Sequence, residues 1–203
     1  MTPPFCACCG VSFGSGVVVQ RGSLCRACHH SPPVFHRARA ALRYNAAARE
    51  LVLRLKYRDS SESAAGLALL MQRAGAELFV GANMIVPVPL HARRLRQRRY
   101  NQAALLARSL AHYTRIPARL DLLQRCRPTE ALAGMSARAR HLALQGAIMV
   151  RPGRRLEGQA VVLVDDVLTT GSTADQCAVA LYAAGAALVE VLTLARVDDP
   201  RQP

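Results

Sequence analysis

The chain has 203 residues, 51% of them hydrophobic but with few aromatics and no Trp, which is room for one α/β domain with an Ala/Leu/Val core and a small appendage. Its formal net charge of +14 is large for this length and suits polyanionic partners, either nucleic acid or a multiply phosphorylated substrate. No run reaches transmembrane length free of charges, and the N-terminus M-T-P-P-F-C-A-C-C lacks the basic and apolar regions of a signal peptide, so a cytoplasmic chain without membrane insertion is expected.

Residues 1–33 stand apart. Cys6 and Cys9 form one C-x₂-C, Cys25 and Cys28 a second, with fifteen residues between them. That spacing matches a Cys₄ zinc ribbon, with Val17 to Val19 in a small hairpin between the knuckles. Disulfides fit a cytoplasmic chain poorly. Cys8, next to Cys9, could replace it as ligand, and His29 and His30 lie close enough to compete. Four protein ligands leave no open position, so Zn²⁺ here would be structural.

Pro32-Pro33 marks the exit from the ribbon. Residues 46–57 read as a helix with Leu51, Val52 and Leu55 inward, and residues 64–79 as a second with Leu67, Leu70 and Met71 inward. Met84 to Val88 reads as a short buried strand. Arg93, Arg94, Arg96, Arg98 and Arg99 then gather without an acid among them. They form either a solvated basic face or an anion clamp, with Tyr100 available to stack on a base. Lys56 is the only lysine, so the arginine bias is also a matter of composition. A helix resumes over 102–113 through Leu105, Leu106 and Leu110. From Leu120 to Arg155 the pattern is irregular and arginine-rich, as in a mobile functional loop or loosely packed surface.

The centre of the chain is A-V-V-L-V-D-D-V-L-T-T-G-S-T, residues 160–173. Ala160 to Val164 reads as a strand buried on both faces, as in a parallel sheet. Asp165 and Asp166 follow, then a hydroxyl-rich turn around Gly171, then a helix that Ser172 or Thr173 can cap and Gly185 ends. A helix N-terminus presents free backbone N–H groups to an anion. Gly171 permits close backbone approach, and Thr169, Thr170, Ser172 and Thr173 add hydroxyl donors. The acids could hold a sugar diol or Mg²⁺, with separate roles because neighbouring side chains on a strand alternate. Ala187 to Ala195 reads as another strand. No G-x-x-x-x-G-K-[ST] string is present, which argues against a P-loop.

The acidic pair followed by T-T-G-S-T resembles the 5-phosphoribosyl-1-pyrophosphate (PRPP) motif of type I phosphoribosyltransferases. The Cys₄ ribbon, L-K-Y, V-P-V-P-L-H-x-x-R, R-x-Y-N-Q, R-P-T and the PRPP motif, in that order over nearly the whole chain, resemble the ComF family. The resemblance implies a type I phosphoribosyltransferase-like parallel sheet flanked by helices over 34–203, with the Cys₄ zinc ribbon ahead of it. It implies a role in DNA uptake and natural transformation, with internalised single-stranded DNA, Mg²⁺·PRPP and a helicase-like competence protein as expected partners. Asp165 and Asp166 would be the catalytic acids holding the ribose hydroxyls, and Thr169 to Thr173 would hold the 5′-phosphate. Arg93 would lie on the pyrophosphate side, with residues 125–140 as a hood. The family's R-G-F-N-Q reads Arg98-Arg99-Tyr100-Asn101-Gln102 here, and two polar hood positions are Leu132 and Ala143. The cradle is intact and the hood altered, so ligand binding is the firmer expectation and turnover stays open.

Overall fold

The computed structural model describes residues 4–14, 19–20, 22–57, 61–90, 95, 100–126 and 146–198. Its centre is a parallel sheet of β1 (Arg37–Arg43), β2 (Met84–Pro87), β5 (Ala160–Leu168) and β6 (Leu188–Arg196), in the order β1-β6-β5-β2. Two short strands, β3 (Leu123–Arg125) and β4 (Ile148–Val150), pair antiparallel beside it. The helices are α1 (Arg26–His30), α2 (Ala46–Tyr57), α3 (Ser61–Ala74), α4 (Gln102–Thr114) and α5 (Ser172–Ala183), with a 3₁₀ turn at Ala76–Phe79.

Strand alternation explains why both faces are covered. Val161 and Leu163 of β5 enter one core with Cys177, Ala178 and Leu181 of α5. Val162 and Val164 enter the other, with Val52 and Leu55 of α2, Met71 of α3, and Leu106 and Leu110 of α4. This is the α/β class expected from the sequence: a parallel sheet between helical layers, with four cysteines gathered at the N-terminus.

Several elements differ from the sequence reading. The helix expected over 64–79 ends at Ala74, and the chain continues through Gly75, a poor helix former, into the 3₁₀ turn at Ala76–Phe79. A Cβ at position 75 would meet Leu192 Cδ1 of β6 at 2.6 Å. Leu70 is 44% exposed, since the core stripe of α3 is Ala64, Leu67, Ala68 and Met71 and Leu70 falls outside it. The motif strand continues to Leu168. Its ladder to β6 runs on through Asp165↔Thr193 and Leu168↔Arg196, so both acids lie in the strand rather than after it. The irregular stretch holds β3 and β4, and R-A-R-A-A-L-R forms β1, an edge strand the pattern did not reveal.

The ribbon packs on that edge. Ala38 of β1 donates its N–H to Cys8 O at 2.6 Å, and Arg39 Nη1 donates to Ala7 O at 3.1 Å. Gly10, at φ +70°, makes the approach possible, for a Cβ there would stand 2.6 Å from Ala38 O. The other edge is partly covered too. Ile85 N–H donates to Pro117 O and Arg119 N–H to Ile85 O, at 2.9 and 2.8 Å.

Candidate phosphate cradle and cysteine cluster

The cradle lies where β5 meets α5, at the carboxyl end of a central parallel strand, the usual location of ligands in open α/β sheets. Gly171 occupies the N-cap position of α5 at φ 85°, and no side chain caps the helix. Its Cβ position is only in ordinary contact with Phe35, at 3.6 Å, so the left-handed backbone is what calls for glycine. The expected capping by Ser172 or Thr173 is therefore not observed. Ser172 Oγ instead pairs with Thr170 Oγ1 at 2.9 Å, and the Ser172 N–H makes only a long 3.5 Å contact to Thr170 Oγ1. The first-turn amides and these hydroxyls stand together at the positive end of the helix dipole. Thr169 and Thr170 are exposed, Thr173 is half-buried and Ser172 is buried.

Asp165 and Asp166 are half-buried at the end of β5. Asp165 Oδ1 accepts the Asp166 N–H and Asp166 Oδ1 the Val167 N–H, each at 2.8 Å. Strand alternation sends them to opposite faces, Asp165 with Val161 and Leu163 toward α5. Its carboxylate contributes to the state of Cys177. Burial, then Asp165, push that thiol far above its ordinary value of 9.0, with Arg125 opposing.

Val88 N–H donates to Val164 O at 2.9 Å, so the chain leaves the sheet after Val88 beside the two acids. Arg93, with Arg94, Arg96, Arg98 and Arg99, lies outside the described residues. So do Arg127, Arg138, Arg140, Leu132 and Ala143 of the expected hood, and Val17 and Val18 of the expected hairpin. Asn101 of R-x-Y-N-Q has a clear structural part. Its Oδ1 caps α4 by accepting the Ala103 N–H at 3.0 Å, and its Nδ2 donates to Val88 O at 2.9 Å. The Tyr100 hydroxyl donates to Leu55 O at 3.0 Å, which ties the ring's outer end to α2.

Arg196 is the residue that sequence reasoning missed. It is 9% exposed, and its Nη1 donates to Leu168 O at 3.2 Å and to Thr169 O, the carbonyls at the mouth of the cradle. Its charge is also felt at the Cys9 thiol. The sequence offered only an arginine ending an apolar run; its pairing with Leu168, the last residue of the motif strand, belongs to the fold. The ribbon's exit braces the same place: Val34 N–H donates to Asp175 Oδ1 at 2.7 Å, in the first turn of α5.

The Sγ atoms of Cys6, Cys9, Cys25 and Cys28 all lie within 4.8 Å of one another, and all four residues are buried. Cys9 and Cys25 Sγ are 3.7 Å apart, and Zn–S bonds of about 2.3 Å put tetrahedral sulfurs about 3.8 Å apart, so the donor set fits the ion. Cys25 N–H donates to Cys6 Sγ at 3.3 Å and Cys28 N–H to Cys25 Sγ at 3.5 Å, bonds that favour thiolates. Cys8 is not one of these four; its Sγ lies on His36 O at 3.7 Å, but its thiol also interacts with Cys28, which holds it below its ordinary value. Crowding splits the thiols. Cys28 and then Cys9 hold Cys6 far below its ordinary value. Cys28 also pulls on Cys9, but Cys6 and burial outweigh it and push Cys9 up to about 11. A divalent cation is what lets four such neighbours ionise together.

Fold and site thus define a parallel α/β protein with a candidate phosphate cradle at a strand end and a four-cysteine cluster on its sheet edge. No family model matches the chain. It is 36% identical over 177 residues to the DNA utilization protein YhgH of Salmonella typhimurium, covering 85% of this chain and 77% of that one. It is also 36% identical over 113 residues to Competence protein F of Haemophilus influenzae, covering 55% and 49%. Competence protein ComFC of Bacillus subtilis is 28% identical over 163 residues, covering 78% and 63%. Among solved structures it is similar to a glutamine PRPP amidotransferase from B. subtilis complexed with ADP and GMP (TM-score 0.47, 22% identity, 69% of this chain and 30% of that chain). A purine phosphoribosyltransferase from Pyrococcus horikoshii is similar at TM-score 0.40 and 19% identity, covering 73% and 75%. The chain belongs to the family of YhgH and the ComF competence proteins.

Proposed function

We propose that this protein acts in DNA uptake and natural transformation in the cytoplasm, binding internalised single-stranded DNA and, at the cradle, Mg²⁺·PRPP. The observation that carries the ligand reading is Gly171 at φ 85° in an uncapped N-cap position, flanked by Thr170 and Ser172 hydroxyls and preceded by two acids at the strand end. In this reading the residue 169–173 hydroxyls and amides take the 5′-phosphate, and Asp165 and Asp166 the ribose hydroxyls. Arg93 belongs to the pyrophosphate side. Mg²⁺ would neutralise pyrophosphate charge when bound with the ligand. Zinc at Cys6, Cys9, Cys25 and Cys28 is structural, in a 1–33 ribbon ahead of a 34–203 body. The uptake role is supported by the names of the relatives and the net charge of +14.

The test is calorimetric titration of zinc-loaded protein with Mg²⁺·PRPP, beside Asp166→Ala. PRPP binding lost in the variant, with the melting temperature kept, is the expected result. Equal affinity in both proteins refutes the site assignment. Two further readings of the same cradle are phosphoribosyl transfer to a base or amine, and a non-catalytic sensor or docking module for a helicase-like partner. The altered hood residues Leu132 and Ala143 favour the latter. Pyrophosphate release with any nucleobase decides for the former.

A further inference from the structure

At the other end of β5 from the cradle, a pocket of about 140 Å³ is lined by the side chains of Arg119, Arg154, Arg155, Asp121 and Gln159. The buried Leu122 and Leu156 also line it. The frame is fixed by backbone bonds: Arg119 N–H to Ile85 O at 2.8 Å, Gln159 N–H to Leu156 O at 2.8 Å, and Ala187 N–H to Gln159 O at 2.9 Å. Three arginines and one carboxylate, Asp121, are among its lining residues. Arg154 reaches Asp121 only at 3.9 Å and Arg155 reaches Glu157 at 3.7 Å, with all four side chains more than half exposed. Such pairs are weak and exchange readily for a phosphate. Arg119 has no ion pair among the described residues. Gln159 Oε1 is fully buried and accepts no hydrogen bond from the described residues.

The pocket thus offers cations for a phosphodiester and beside them the exposed Asp121 carboxylate for a hydrogen-bond donor; Gln159 Oε1, which has no accessible surface as it stands, joins it as an acceptor once its side chain turns outward. A nucleotide in a single strand presents both, because its exocyclic amine or ring N–H is free along the whole Watson–Crick edge. In a duplex the ring N–H is paired and an exocyclic amine keeps one hydrogen, reachable only from a groove. We propose that this pocket is a contact site for single-stranded nucleic acid, separate from the cradle. The inference rests on the single-strand reading above and adds where the strand is held. Nine residues of β5 separate the two sites, about 30 Å at the strand rise of about 3.3 Å per residue, so the cradle ligand does not compete with the strand here.

The experiment is fluorescence anisotropy of a labelled single strand with zinc-loaded full chain across a salt series. The variants are Arg119→Glu with Arg154→Glu, and separately Gln159→Leu. The double reversal is expected to weaken binding at least tenfold and to flatten the log K against log salt slope by about 1.4, the loss of two phosphate contacts on a single strand. Its melting temperature and cradle affinity stay as in the parent. Gln159→Leu is expected to weaken binding severalfold at unchanged slope, which a merely electrostatic surface would not do. Mg²⁺·PRPP leaves the strand bound. Unchanged affinity and slope in the double variant, with the parent binding the strand, overturn the site alone. A parent that binds no single strand overturns the reading beneath it. A duplex held as tightly through the same arginines overturns the single-strand assignment.

Discussion

Arg196→Met tests how the cradle is held. The guanidinium is buried and donates from Nη1 to the carbonyls of Leu168 and Thr169. Hydrogen bonds to a charged group contribute about 1.5–3 kcal/mol each, but two features lower the net loss here. Leu168 O keeps a second donor, the Val197 N–H at 3.0 Å, and Thr169 is exposed, so water can replace the lost bond on its carbonyl. Removing Arg196 Nε, which is buried with no acceptor among the described residues, offsets part of the remainder. The expected cost is about 1.5 kcal/mol, a fall in melting temperature of about 3–6 °C for a chain of this size. Native-state amide exchange should localise the effect, with protection falling at residues 168–172 while Val162 and Leu163 in mid-strand stay protected. A variant that melts like the parent and exchanges no faster at 168–172 refutes the idea that Arg196 positions the loop. A lower melting temperature with faster exchange only in the ribbon would show that Arg196 serves the cysteine cluster instead.

The remaining predictions concern the thiols. The ribbon's cysteines form a buried cluster of their own, apart from the two sheet cores, so stripping the metal with a strong chelator should unfold the ribbon while the body keeps its helical and sheet signal. A low-temperature calorimetric transition that disappears on chelation, with the main one retained, is the expected result, and an unchanged thermogram refutes it. Cys177 makes stability depend on pH at the alkaline end. Its thiol is held above its ordinary 9.0 by burial and then Asp165, so above that pH the unfolded chain releases a proton the folded chain keeps. Stability is unaffected below about pH 9 and then falls by up to about 1.4 kcal/mol per pH unit. Urea unfolding of the parent and Cys177→Ala between pH 8 and 10 should show the steeper alkaline decline only in the parent. Parallel declines would show that another group is responsible.

The motif strand and its cradle were legible because their signals are local. A continuous apolar run, two acids and a hydroxyl-rich glycine turn need only neighbours in sequence to make sense, and the same holds for the paired C-x₂-C spacings. β1 was not legible, since R-A-R-A-A-L-R has too few large apolar residues to mark a strand. Its place depends on pairing with β6 and on Arg39 reaching Glu77 Oε1 and Ala7 O. Arg196 was hidden for a similar reason, as one arginine in a chain where all but one of the 27 Lys and Arg residues is arginine. What distinguishes it is burial beside carbonyls brought near by a ladder partner, and that is a tertiary fact. The capping expectation failed in an informative way. Ser172 has the right chemistry, but the left-handed Gly171 takes the cap position and leaves the helix start without a side-chain cap, the arrangement an anion site would use.

The ribbon's position ties these observations together. An edge strand such as β1 exposes unpaired backbone groups, and sheet proteins commonly cover or interrupt such edges. Here Cys8 O takes the Ala38 N–H, and Gly10 gives the clearance for it. The segment leaving the ribbon then passes behind the cradle, where Val34 N–H bonds Asp175 and Phe35 packs under Gly171, while Arg196 donates to the Thr169 carbonyl and its charge is felt at the Cys9 thiol. A four-thiolate zinc site carries two net negative charges, and the buried guanidinium is a cation within its field. A zinc ion held by these four thiolates would therefore do more than fold the ribbon. It would fix the sheet edge beside the guanidinium that holds the Leu168–Thr169 turn, which gives a physical reason for such a ribbon to be joined to this edge of this sheet.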